Sequence, residues 1–227
     1  PIQGQSSAIT GPPEYTTARI VGDAPTIDGA LDDAAWEQVD WGSDFYQRQP
    51  SDELPATQKT AFKILYDDRY LYVAWRAFDT DPEKIESRLG RRDDFPGDWV
   101  EINFDSFNDK RTAFSFTASA SGVRGDEFVS NDGNNWADSW NPFWFFKAKI
   151  DDKGYTAEAR IPFSQLRFGK EETQTWGLQV NRNFFREQES SSWAPVKQNQ
   201  HGWVSRFGIL TGLKGLTPRR PLQIQHY

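Results

Sequence analysis

Trp99 to Asp105 alternate without a break, Val100, Ile102 and Phe104 pointing one way and Trp99, Glu101, Asn103 and Asp105 the other. A period of two over this length is a strand with two faces. Its apolar face belongs to a core. The opposite face sets a ring, a carboxylate and an amide in a row, the groups that grip a polyhydroxylated ligand. A ring covers the ligand's apolar side while the polar groups pair with its hydroxyls, because burying either kind of surface without a partner costs free energy. The same alternation also describes a half-exposed strand whose polar face meets water. The loop in front favours a site, since Asp93, Asp94, Phe95, Pro96 and Gly97 put an aromatic and several carboxylates at the mouth of the strand. Pro96 and Gly97 also make a core position for Phe95 awkward.

Other chemistries find less support. The 227 residues carry a formal net charge of −7, with no block of basic residues, which argues against nucleic acid as a partner. There is no cysteine, so disulfides, thiolate metal sites and Cys nucleophiles are excluded. A glycosidase needs two carboxylates flanking a bond, yet among 33 acidic residues no pair is marked by its sequence surroundings. A Ser-His-Asp site has only His201 and His226 to draw on, and neither lies near a nucleophile elbow. The chain therefore reads as non-catalytic. Oxygen ligands for a structural calcium ion are plentiful in Asp79, Asp81, Asp93, Asp94 and Asp98, although such runs are more often solvated turns. The chain contains no Met, as in a processed or excised piece from which a signal peptide has been removed.

The elements that must position these residues are mostly short strands. Residues 1–17 are rich in Gly, Ser, Gln and Pro and read as a linker or lead-in. A strand is expected at Ala18 to Gly22, and Asp28 is placed to cap a short helix through Leu31 and Trp36. Ala61 to Tyr66 and Tyr70 to Asp79 form a hairpin, as do Phe143 to Ile150 and Tyr155 to Ile161. Further strands are expected at Thr112 to Ala118, Gly122 to Val129, Trp176 to Phe184, Ser191 to Ala194 and Val204 to Leu210. Between them, Asn131 to Asn141 is a long loop carrying Trp136 and Trp140, a second contact surface or a lid. Turn signals every 8 to 12 residues and almost no helix predict an all-β sandwich of two antiparallel sheets, jelly-roll or immunoglobulin-like, over residues 18–212. Val100, Ile102, Phe104, Phe114 and Phe116 are expected in its core, and residues 213–227 form an exit segment.

Several blocks, IDGALDDAAW, LYDDRYLYVAWRAFDTDP, GDWVEINFDSFNDKRTAFSFTASASG, YTAEARIPFSQLRF and WGLQVNRNF, together resemble the family 9 carbohydrate-binding modules and their DOMON-like relatives. RRDDF, FNDKRTAF, IPFSQLRF and RFGILTGLKGLTPRRPLQIQHY further resemble the N-terminal module of Bacteroidetes-type envelope proteins whose C-terminal domain, of unknown function, is predicted as an outer-membrane β-barrel. The resemblance implies a β-sandwich that holds a terminal sugar between two rings, in an exported, outer membrane-associated protein facing the periplasm or the cell surface. It implies carbohydrate as partner, together with the barrel domain and an envelope protein. Carried across, the carboxylate is Glu101 and the first ring is Phe95, where the family has Trp. The second ring falls on Trp203, with Asn199 or Gln200 as the amide and Asn103 assisting. The family arginine falls near Ser115, so that contact is absent here. An interaction or assembly module that has kept the sandwich and lost the sugar is the other reading. Haem, bound by some DOMON-like relatives, lacks a Met ligand in this chain.

Overall fold

The computed structural model of the chain describes residues 11–94 and 96–218. Among them two β-sheets face one another. The first is built from β1 (Glu14–Thr16), β3 (Tyr46–Gln49), β6 (Trp99–Asp105), β7 (Ala113–Ser119), β8 (Arg124–Ser130), β9 (Asn135–Ala137), β12 (Thr173–Phe184), β13 (Glu189–Ser192) and β14 (Gly208–Lys214). Its order is β1-β14-β12-β6-β7-β8-β9, with β13 and then β3 extending from the far end of β12. The second sheet has the order β10-β11-β5-β4-β2, from β2 (Ala18–Arg19), β4 (Thr60–Tyr66), β5 (Tyr70–Phe78), β10 (Phe145–Asp151) and β11 (Gly154–Pro162).

The alternation read from the sequence is the reason for the layering. Val100, Ile102, Phe104 and Phe116 are fully buried and Phe114 nearly so, meeting Phe62, Val73, Trp75 and Tyr155 from the second sheet. Rings dominate this interior: Phe104 lies edge-on to Trp176 at 6.0 Å between centroids and Phe116 edge-on to Trp144 at 5.3 Å. Such contacts add roughly 0.5 to 1.5 kcal/mol per pair beyond the area they bury.

Four local expectations are corrected. The sheets are mixed rather than antiparallel throughout, because β1 joins β14 and β2 joins β4 in parallel. The first pairing also means that part of the expected lead-in is sheet, with Tyr15 buried and its hydroxyl donating to Asp40 O. No α-helix forms over Ile27 to Trp36; a single 3₁₀ turn spans Ala34–Gln38. Asp28 spends its carboxylate on Ala30 N at 2.8 Å, closing a tight turn, and buried Glu158 collects Gly29 N at 2.9 Å and Trp36 Nε1 at 2.8 Å. The apolar residues of this stretch are thereby laid over the outer side of the second sheet, against Leu65, Tyr72 and Ala74. Finally, the last strand is Gly208–Lys214, and Val204–Arg206 is a 3₁₀ turn held by Asp132, whose carboxylate accepts from Trp203 N at 3.1 Å and Ser205 N at 2.8 Å.

Candidate functional site

The polar side of β6 looks away from the core, and its neighbours continue the pattern. Register sets Asn181 of β12 and Thr117 of β7 opposite Glu101, and Gln179 and Ser115 opposite Asn103. Glu127 of β8 follows Ser115 in the same row. Glu101 is the hub of this face: Oε2 accepts from Asn181 Nδ2 at 2.6 Å and Asn103 Nδ2 at 2.8 Å, Oε1 from Ser115 Oγ at 2.9 Å and Thr117 Oγ1 at 3.3 Å. Four donors match the four lone-pair sites of an ionised carboxylate. Ser192 Oγ in turn donates to Asn181 Oδ1 at 2.8 Å, so the network crosses from β7 to β13. Glu101 itself is buried, with 7% of its surface exposed.

Glu127 sits differently. It is half-buried, and its carboxylate accepts no hydrogen bond from any described residue. Burial, with the nearby carboxylates of Glu101, Asp93, Asp138 and Asp126, pushes its pKa up to about 7. At the other end of the face Asp105 is also buried, and burial outweighs the amides of Lys110 and Asp109 to push it up to about 6 from the usual 3.8. A carboxyl whose folded pKa lies above its unfolded value contributes stability that is complete below the unfolded value and is lost as pH rises through the folded one. For Asp105 the difference is worth on the order of 3 kcal/mol. Asp93, Asp98 and Glu158, raised by burial, act with the same sign. Burial raises Asp79 and Asp132 too, but the bonds from Arg186 and Ser205 outweigh it, and Arg76 holds Asp151 low. Stability from these three is already complete by pH 5. The urea midpoint is therefore expected to fall between pH 5 and pH 8; a flat or rising midpoint would contradict these carboxyl environments.

The structure distributes the sequence-predicted site residues unevenly. Glu101 and Asn103 are joined directly. Phe95 lies outside the described residues, but its loop is fastened beside β8: Asp93 N donates to Arg124 O at 3.2 Å and Asp93 Oδ1 accepts from Asp126 N at 3.0 Å. Trp203 lies on the outer side of the same sheet, packed with Ala113, Val129, Val196, Val204 and Phe207. Only 9% of it is exposed, its ring is 5.8 Å from Phe207 and 6.3 Å from Trp136, and Arg48 lies over it at 5.2 Å. The Ala113–Val129 pair lies four residue pairs along the strands from the Thr117–Gly125 pair, so Trp203 sits roughly 13 Å along the strands from Glu101. Asn199 and Gln200 are exposed, and Gln200 lines a separate cavity of about 810 Å³ with Asp105, Lys110 and Arg206.

Sequence reasoning did not single out Asn181, Thr117 or Glu127, and took Ser115 only as a missing arginine. For Asn181, Ser115 and Thr117 the signal was present as polar positions alternating with core positions in WGLQVNRNF and AFSFT. Trp140 is turned inward onto Phe114 and Phe116 at 5.0 and 5.5 Å, whereas Trp136 stays 37% exposed on the outer side. Of the aspartates considered for calcium, Asp79 is engaged by Arg186 at 2.6 Å and Asp98 accepts from Glu86 N at 3.0 Å. Among the described residues no group of three or more His, Asp or Glu side chains is placed to hold a metal ion.

The family model described as "Carbohydrate family 9 binding domain-like" matches residues 27–215. Among solved structures, the chain is similar to a family 9 carbohydrate binding module from Caldicellulosiruptor kristjanssonii in complex with cellotriose, at 18% identity and a TM-score of 0.63, covering 95% of this chain and 99% of that one. A family 9 carbohydrate binding module from the same organism in complex with glucose gives 19% identity and a TM-score of 0.61, covering 92% of this chain and 100% of that one. A putative carbohydrate-binding protein from Bacteroides uniformis gives 11% identity and a TM-score of 0.69, covering 88% and 99%. At these identities the likeness shows the fold. No curated protein sequence matches the chain.

Proposed function

We propose, since the chain belongs to the carbohydrate family 9 binding domain-like family, that it is a non-catalytic carbohydrate-binding module whose ligand lies over the face organised by Glu101. The observation that carries this reading is the Glu101 network itself: a carboxylate, two amides and two hydroxyls held in one plane of a rigid sheet. Hydroxyls of a sugar exchange hydrogen bonds with such groups, and Trp99 at the head of the same strand offers apolar surface beside them. The neighbours solved with cellotriose and glucose make a glucose-based oligosaccharide the first ligand to try. A site of this size is expected to bind in the micromolar to millimolar range, about −4 to −8 kcal/mol.

We extend the proposal to context. The motif resemblance supports an exported module attached to an outer-membrane barrel, and fractionation of the full-length product tests it, a cytosolic location counting against it. The test of function is a glycan array followed by calorimetry on the isolated module. Sugar binding that weakens at least tenfold, about 1.4 kcal/mol, in Asn181→Ala is the expected result. Binding unchanged in that variant would move the site elsewhere.

Two observations favour a second reading, a protein-interaction or assembly module. The lone pairs of Glu101 are filled from within, and Trp203 is packed rather than open. Capture of an envelope partner by a module that binds no glycan would decide for it.

A further inference from the structure

The hydrogen-bonding capacity of the Glu101 face is lopsided. Every side-chain donor group is already engaged: Asn103 Nδ2, Asn181 Nδ2, Ser115 Oγ and Thr117 Oγ1 donate to Glu101, and Gln179 Nε2 donates to Ala194 O at 2.7 Å, which leaves only the second N–H of each buried amide. The acceptors left over include a charged one. Asn103, fully buried and held onto this face by its bond to Glu101, has no partner for Oδ1 among the described residues. The Glu127 carboxylate, one strand beyond Ser115, accepts from no described residue either.

Charge is lopsided in the same sense. Besides burial, the charged groups that act most strongly on Glu127 are Glu101 from β6, Asp93 from the loop along the strand edge, Asp126 from its own strand and Asp138 from the segment after β9, all carboxylates. The cation beside them, Arg92, is already paired with Asp126 and lies 3.6 Å from Asp93. No set of carboxylates is arranged to hold a metal among the described residues, so the missing positive charge is not read as a metal ion.

A ligand that completes this face must bring donors and positive charge together. We propose that the preferred ligand is a sugar bearing a protonated amine, a deacetylated 2-amino sugar, with its ammonium on Glu127 and its hydroxyls beside Asn181 and Thr117. This rests on the sugar-binding reading above and narrows it. A neutral sugar supplies donors but leaves the carboxylates uncompensated, N-acetylation removes the charge, and a uronic acid is repelled. The raised pKa of Glu127 fits: a cation settling on it favours the ionised form and expels a proton on binding.

The experiment titrates the glucosamine trimer, its fully N-acetylated counterpart and cellotriose into wild type and Glu127→Gln at neutral pH and low salt. Calorimetry is run in two buffers of different ionisation enthalpy. The glucosamine trimer is expected to bind wild type about tenfold more tightly than cellotriose, the scale of one charge-assisted hydrogen bond. It should do so with proton release, and Glu127→Gln should erase the preference. Equal affinities, a preference that survives Glu127→Gln, or tighter binding of cellotriose overturns the inference while leaving sugar binding intact. Failure to bind any of the three overturns both. Should Glu127→Gln not fold, the wild-type preference, its proton release and its loss at high salt still decide the matter, since a preference without proton release counts against Glu127.

Discussion

Glu101→Ala is expected to lower the unfolding free energy by about 3 to 5 kcal/mol, the cost of breaking a buried charged network by removing one partner. Each of the four groups that donate to this carboxylate is itself buried: Asn103, Ser115, Thr117 and Asn181. Deleting the acceptor leaves four donors facing one another, each unsatisfied group worth roughly 1 to 3 kcal/mol before water enters to relieve part of it. Glu101→Gln keeps one carbonyl acceptor and substitutes two N–H groups for the other oxygen, so donors then meet donors at Ser115 or at the amides. An intermediate loss is expected. Guanidinium unfolding of both variants against wild type checks the order. A loss below about 1 kcal/mol for Glu101→Ala would mean that water holds this carboxylate rather than the network described, since exposed polar contacts are worth only that much.

The second large effect is expected at Trp203→Ala, about 3 kcal/mol or more, the range for removing a packed aromatic ring. The ring fills the angle between Ala113 and Val129 of the sheet and Val196, Val204 and Phe207 of the segment that covers it. Gly133, at a φ of +90°, packs so closely that a Cβ there would come within 2.4 Å of Trp203 Cβ. A ring kept open for stacking on a ligand would behave otherwise: its removal would cost affinity and almost no stability. Unfolding and sugar titration of the same variant therefore separate the two roles. Unchanged stability with lost binding would return Trp203 to the ligand and contradict the packing described here.

What could be read from the sequence was whatever follows from period two. The strand from Trp99 to Asp105, both hairpins and the division of Phe114 and Phe116 from Ser115 and Thr117 depend on local alternation, which the sheet preserves. The helix expected near Trp36 failed because its apolar residues were claimed by a distant partner, Glu158 of β11, whose capture of Gly29 N and Trp36 Nε1 is invisible in a local window. Apart from Asn103, the partners of Glu101 were hidden for the same reason. Asn181 lies 80 residues away along the chain, and only the register of β12 against β6 brings its amide to the carboxylate. Trp203 illustrates a different limit: a ring before a strand looks alike in sequence whether it is open or packed, and the choice is made by Asp132, which fixes the turn that carries it.

The central claim is that sugar lies on the polar face around Glu101, and side-chain NMR tests it most directly. With the module labelled in nitrogen, the amide groups of Asn103 and Asn181 and the indole of Trp99 report on this face, while Trp75, Trp144 and Trp176 report on the buried interior. Titration with cellotriose, and then with the glucosamine trimer, is predicted to shift the Asn181 amide and the Trp99 indole in a saturable way and to leave the three interior indoles in place. Saturable shifts confined to other surfaces, with Asn181 and Trp99 unmoved, would contradict the account.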